Sequence, residues 1–191
     1  LDLGVQGCKA LAALLKNSAS RIYFLALGRN NIDDDCIAIL IEALEKNSTL
    51  KTFFLGTQHE ENNSSWRLTH LLSLPGCSIE NVMLGSNNFG EGSLTYLGNV
   101  LSNNNTLKCL HLNEESGQSC WRGFSQCLTS PYSALKELSP NGCELNDDST
   151  ISLFTALGHN KSLKRLRIVE TASITAAGWT RCFQLLVGSE S

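Results

Sequence analysis

Short ladders of apolar residues recur along the chain at a near-constant spacing. They read Ile22-x-x-Leu25-x-Leu27, Leu50-x-x-Phe53-x-Leu55, Ile79-x-x-Val82-x-Leu84, Leu107-x-x-Leu110-x-Leu112, Leu135-x-x-Leu138 and Leu163-x-x-Leu166-x-Ile168. The ladders start at positions 22, 50, 79, 107, 135 and 163, so the steps between them are 28, 29, 28, 28 and 28 residues. The alternation within each ladder predicts a short strand. After several strands comes an Asn or Cys (Asn30, Asn87, Cys143), then an apolar residue two further on (Ile32, Phe89, Leu145). A stretch with apolar spacing near 3.6 follows, as in Ile37, Leu40, Ala43 and Leu44 or Leu94, Leu97, Val100 and Leu101, and predicts a helix. Polar turns such as Lys46-Asn47-Ser48-Thr49 and Asn103-Asn104-Asn105-Thr106 close the units.

A strand–loop–helix unit of this length cannot bury both of its faces alone. Stacked neighbours bury them together, with strands forming a parallel sheet on one side and helices covering it on the other. Helices are wider than the ~4.8 Å spacing of strands, so the stack is expected to curve with its strands inside. The pattern Leu-x-x-Leu-x-Leu-x-x-Asn/Cys-x-Leu in units of 28 resembles the leucine-rich repeats of the ribonuclease-inhibitor-like subclass. That subclass includes ribonuclease inhibitor and the repeat domains of NOD-like receptors; the Ran GTPase-activating protein and tropomodulin are relatives. The resemblance implies a right-handed α/β horseshoe, a leucine-rich-repeat solenoid of fold class α/β. It covers residues 1–191 as a single domain, with a partial unit over 1–21. No polar capping unit is visible at the start, so the chain is expected to be a fragment whose first turn stacks on more chain. The Asn after the strand (Asn30, Asn87) is expected to bond backbone groups of neighbouring turns.

In this register, residues two and four after each ladder start face away from the core. The first column is Phe24, Thr52, Asn81, Cys109, Glu137 and Arg165; the second is Ala26, Phe54, Met83, His111, Ser139 and Arg167. Phe24, Phe54 and Met83 form an apolar patch that the core does not require, and such side chains are typical interface anchors. With His111, Arg165 and Arg167 they are the candidate partner-binding residues. Lys51, Lys108, Lys136 and Lys164 recur at one phase and read as a structural stripe. The acidic helix starts at Asp33 to Asp35, Glu91, and Asp147 with Asp148 read as caps that favour the helix dipole. Two irregular stretches, 57–65 and 113–119, carry Glu60-Glu61 and Glu114-Glu115 and offer an acidic rim at the loop edge.

Composition narrows the function further. The formal net charge of −3 argues against nucleic acid or an anionic membrane as partner. Enzyme motifs are missing: there is no Gly-x-Ser-x-Gly, no phosphate loop and no His-Glu-x-x-His. No catalytic residue and no cofactor are expected. Cys109-x-His111 places two soft ligands on one strand face, but no third is evident and no metal site is assigned. None of the eight cysteines forms a Cys-x-x-Cys pair, and unpaired thiols in an intracellular protein are expected, with Cys8 and Cys36 as small fillers between helices. Five Asn-x-Ser/Thr sequons, three of them on the repeat turn, read as turn chemistry. The expected function is a protein-interaction module that binds a protein partner on its concave face and loop edge, as part of a larger receptor or scaffold. The alternative is a GTPase regulator resembling the Ran GTPase-activating protein, for which Arg29 is the arginine at the loop edge.

Overall fold

The computed structural model describes residues 3–30, 32–56, 64–85, 91–113, 121–141, 145–169 and 172–188. Helices and strands alternate as α1 (Gly4–Lys16), β1 (Phe24–Ala26), α2 (Asp34–Leu44), β2 (Thr52–Leu55), α3 (Ser64–Ser73), β3 (Asn81–Gly85), α4 (Glu91–Leu101), β4 (Cys109–Asn113), α5 (Trp121–Thr129), β5 (Glu137–Asn141), α6 (Asp147–His159), β6 (Arg165–Leu166) and α7 (Ala176–Val187). The six strands form one sheet in chain order, and every neighbouring pair is parallel. Each helix packs on the helix of the adjacent unit. Hydrogen-bonded pairing begins two residues after each ladder start. The ladder's first residue, as at Leu50, Leu107 and Leu135, is buried in the approach to the strand.

The core is the single layer between sheet and helices. Strand positions three and five after each ladder start fill it: Phe53, Leu55, Val82, Leu84, Leu110, Leu112 and Leu138 are all buried. From the helices come Ile37, Leu40, Leu44, Leu94, Leu97, Phe124 and Leu153. Cys8 and Cys36 are buried in successive helices, as their phase implies. The six cysteines among the described residues (8, 36, 77, 109, 127 and 182) are free thiols; Cys120 and Cys143 lie outside them. Helices α4 and α5 approach closely because Gly98 sits against the backbone of Phe124. No helix among the described residues is long and apolar enough to cross a membrane.

Proline explains where the sheet weakens. Just past β1 the residue at ladder position five, Leu27, donates its N–H to the Phe54 carbonyl of the next strand at 2.8 Å. The equivalent residue in β5 is Pro140, which has no N–H to give. Pairing of β5 with β6 accordingly stops at Leu138–Leu166, whereas β4 and β5 pair through to Asn113–Asn141.

Asn30 donates to the Gly28 carbonyl; the adjoining loop of the next unit and Asn87 lie outside the described residues. Among the described residues, the units are tied by the asparagines of the helix-to-strand turns. Asn47 donates to the Leu15 carbonyl, Asn104 to Leu72 and Asn160 to Leu128, each thirty-two residues back, at 2.8, 2.8 and 2.6 Å. Each also accepts two backbone N–H bonds with its Oδ1: from Thr49 and Leu50, from Thr106 and Leu107, and from Ser162 and Leu163. A carboxamide is suited to this, since it offers donors at one end and a two-lone-pair acceptor at the other. These are three of the sequon asparagines, and their amide nitrogens are engaged in the fold.

Candidate functional site

Parallel pairing without slippage turns the outward-facing strand residues into two straight columns. Phe24, Thr52, Asn81, Cys109, Glu137 and Arg165 are successive register partners; so are Ala26, Phe54, Met83, His111 and Ser139. Both columns were legible from spacing. The contacts within them differ from one end to the other.

At the β1–β3 end the second column is apolar, while in the first Asn81 donates to the Thr52 hydroxyl at 3.1 Å. Phe54 and Met83 are direct register partners, both half-buried. The Phe54 ring lies over a shelf made by Gly28 and Gly56: a Cβ placed on either glycine would meet the ring at 3.1 Å. A hollow of about 380 Å³ opens there, lined by Arg29, Phe54, Met83, Gly85, His111 and Asn141 among others. Arg29 holds a left-handed backbone, φ 58°, which turns the chain out of the strand towards α2. Phe24 is half exposed. It belongs to the other column, where its partner is Thr52, so it sits diagonal to Phe54 instead of continuing the Phe54–Met83 row. The neighbour of Phe54 on β1 is Ala26.

At the β4–β6 end the face is polar and internally paired. Glu137 is shared: its Oε1 lies 3.2 Å from His111 Nε2, and its Oε2 accepts from Arg165 Nη1 at 2.6 Å. Arg165 therefore has a carboxylate partner within the chain, while Arg167 is exposed. Cys109, register partner of Glu137, is half-buried. Burial pushes its thiol up to about 11; the Glu137 carboxylate adds to that rise and Arg165 opposes it. Cys109, His111 and Glu137 place one donor atom each within 4.8 Å of one another. Glu137 is thus the third ligand-type residue that the sequence reading did not find. The signal was present, because Cys109 and Glu137 are consecutive in one column. Ser139 departs from its column: it is fully buried, and its Oγ has no hydrogen-bond partner. A short side chain next to the imidazole of His111 stays beneath the surface that its larger neighbour defines.

Charges along the strand entry are also compensated. Glu80 occupies the phase of the lysine stripe and pairs with Lys108 at 2.6 Å and Lys51 at 3.6 Å. The Lys108 contact holds its carboxyl below the usual range. The stripe is therefore interrupted, as a structural role allows. Asp33 caps α2 by accepting from the Cys36 N–H at 2.8 Å. Asp147 does not cap its own helix: Asn146 does, by accepting from Ser149. Asp147 reaches the next unit, where the N–H and hydroxyl of Thr175 donate to it at 2.8 and 2.7 Å. The acidic stretches at Glu60-Glu61 and Glu114-Glu115 lie outside the described residues.

No family model matches the chain. It is 29% identical over 166 residues to NACHT, LRR and PYD domains-containing protein 14 of Homo sapiens, an alignment covering 86% of this chain and 15% of that protein. It is 27% identical over 165 residues to Ribonuclease inhibitor of Sus scrofa, covering 86% of this chain and 36% of the inhibitor. The chain thus spans only a minor part of the relatives it matches. Among solved structures, Leiomodin-1 Actin-Binding Site 2 superposes with a TM-score of 0.59 at 17% identity, over 98% of this chain and 90% of that one. That likeness concerns the fold.

Proposed function

Because the chain is a leucine-rich-repeat protein of the ribonuclease-inhibitor-like type, we propose that it is a recognition module whose concave face receives a segment of a partner protein. One observation carries this reading. Phe54 and Met83 are register neighbours that face away from a filled core and line an open hollow. Their relatives include an inhibitor named for a ribonuclease, and a structural neighbour is titled an actin-binding site; both names speak of binding proteins. The apolar row supplies the anchor, Arg29 supplies charge beside the hollow, and the exposed Arg167 supplies it just past β6. Arg165 contributes less than its exposure suggests, since Glu137 already holds it. A setting within a longer intracellular receptor or scaffold fits the receptor-type relatives, of which the chain spans 15–17%.

The test is Met83→Ala, alone and with Arg167→Ala, against a partner identified with the parent protein. Burying one large apolar side chain is worth roughly 1.5–3 kcal/mol, so Met83→Ala should weaken binding at least tenfold with an unchanged melting temperature. Parent-like binding by both variants refutes docking on this face. Phe54→Ala is the poorer probe, because its ring also covers the glycine shelf.

A GTPase-regulator reading rests on Arg29, which lies at the strand-to-helix edge and lines the hollow. Its test is direct: stimulation of GTP hydrolysis by the parent and its loss in Arg29→Ala.

A further inference from the structure

We propose that Cys109, His111 and Glu137 form a binding site for a thiophilic divalent cation, with zinc the best match. The three donors stand on adjacent strands of a regular sheet. Cys109 and Glu137 are register partners, and His111 lies two residues along β4 on the same face. The backbone ladder therefore sets their spacing before any metal arrives, which is the preorganisation such a site needs. A tetrahedral zinc ion, with bonds of about 2.0–2.3 Å, holds its donors roughly 3.5 Å apart. The donor atoms here already lie within 4.8 Å of one another, and His111 Nε2 and Glu137 Oε1 are at 3.2 Å. Small side-chain rotations close the remaining gap.

The donor chemistry selects the ion. A thiolate, an imidazole and one carboxylate oxygen suit zinc, whereas calcium and magnesium require all-oxygen shells. Sγ gives up its proton to the buffer as the sulfur–metal bond forms, and His111 ligates through Nε2 as its Nδ1–H tautomer, so the proton that Nε2 shares with Glu137 leaves that nitrogen. Oε1 of Glu137 turns from the imidazole to the metal while Oε2 stays on Arg165, which then orients the ligating carboxylate from the outer shell. Arg165 is largely exposed, so solvent weakens its repulsion of the added cation without removing it. Three protein donors leave a fourth position open to the concave side for water.

The experiment titrates the full chain, reduced and chelator-treated, with cobalt(II) and then zinc. The expected result is one cobalt per chain, with tetrahedral visible bands and a thiolate-to-cobalt charge-transfer band that zinc bleaches. Cys109→Ser should remove the charge-transfer band, and His111→Gln and Glu137→Gln should each weaken zinc binding at least tenfold. The proposal is overturned if the parent gives no charge-transfer band, or if the band persists in Cys109→Ser, which would place the metal on another of the eight cysteines. It is also overturned if His111→Gln and Glu137→Gln bind zinc like the parent. Circular dichroism checks folding of Cys109→Ser; should that variant unfold, the other two, at partly exposed positions, decide the matter. None of these readouts depends on a protein partner.

Discussion

The side-chain amide of Asn47 donates to the carbonyl of Leu15 at 2.8 Å, across the boundary between two units. The contact satisfies a carbonyl in the last turn of α1, where no helical partner exists. Repeated at Asn104 and Asn160, it is the polar counterpart of the apolar ladder: it fixes each turn to the one before it.

Replacing Asn104 with Ala would orphan the Leu72 carbonyl and the N–H groups of Thr106 and Leu107 together. Each buried group left unsatisfied costs about 1–3 kcal/mol, partly recovered by water. The expected loss is roughly 3 kcal/mol in urea unfolding. Asn30→Ala, which removes a bond within one turn, should cost less than about 1 kcal/mol. Equal effects of the two substitutions would contradict the assignment of the inter-unit role.

Gly98→Ala tests the closeness of α4 and α5. A Cβ there would stand 2.6 Å from Phe124 Cα and 3.0 Å from the Gly123 carbonyl oxygen, both backbone atoms. The helices must separate, and overpacking of this kind costs about 1–3 kcal/mol. Gly92→Ala, with open space around its added Cβ, should leave the melting temperature at or above that of the parent.

Stability should fall on the alkaline side. Burial pushes the Cys127 thiol from 9.0 up to about 12. Burial, with Asp33 and Cys8 beside it, does the same for Cys36. The folded state keeps these protons while the unfolded state loses them. Their contribution is therefore full below about pH 9 and declines as pH rises towards 12. Each such thiol gives a slope of up to about 1.4 kcal/mol per pH unit. Urea midpoints taken in reductant at rising pH should show the decline, and Cys127→Ala should reduce it.

Thiol titration of the unfolded, unreduced protein should count all eight cysteines. In the folded protein Cys109 should label before the other five described cysteines, which are buried. A count of four or fewer would point to disulfides and a secretory setting.

The ladder positions alone placed the six strands, the helices between them, the buried residues from Phe53 to Leu138 and the two outward columns. A repeat permits this because each unit meets only its neighbours, so one-dimensional phase is nearly a three-dimensional address. Phase does not say which neighbouring side chains reach one another. Asn47 is a polar turn residue by its phase, and only packing shows that its side chain bonds the previous unit at the Leu15 carbonyl. Ser139 has an outward phase and is buried. Pro140 has the phase of a ladder residue and ends the pairing of β5 with β6. Glu137 turns towards His111 and Arg165 at once, which makes a three-donor cluster of a two-residue motif and takes a candidate partner-binding arginine into the chain's own network. These outcomes depend on side-chain length and on distances across the stack, both set only when the units pack.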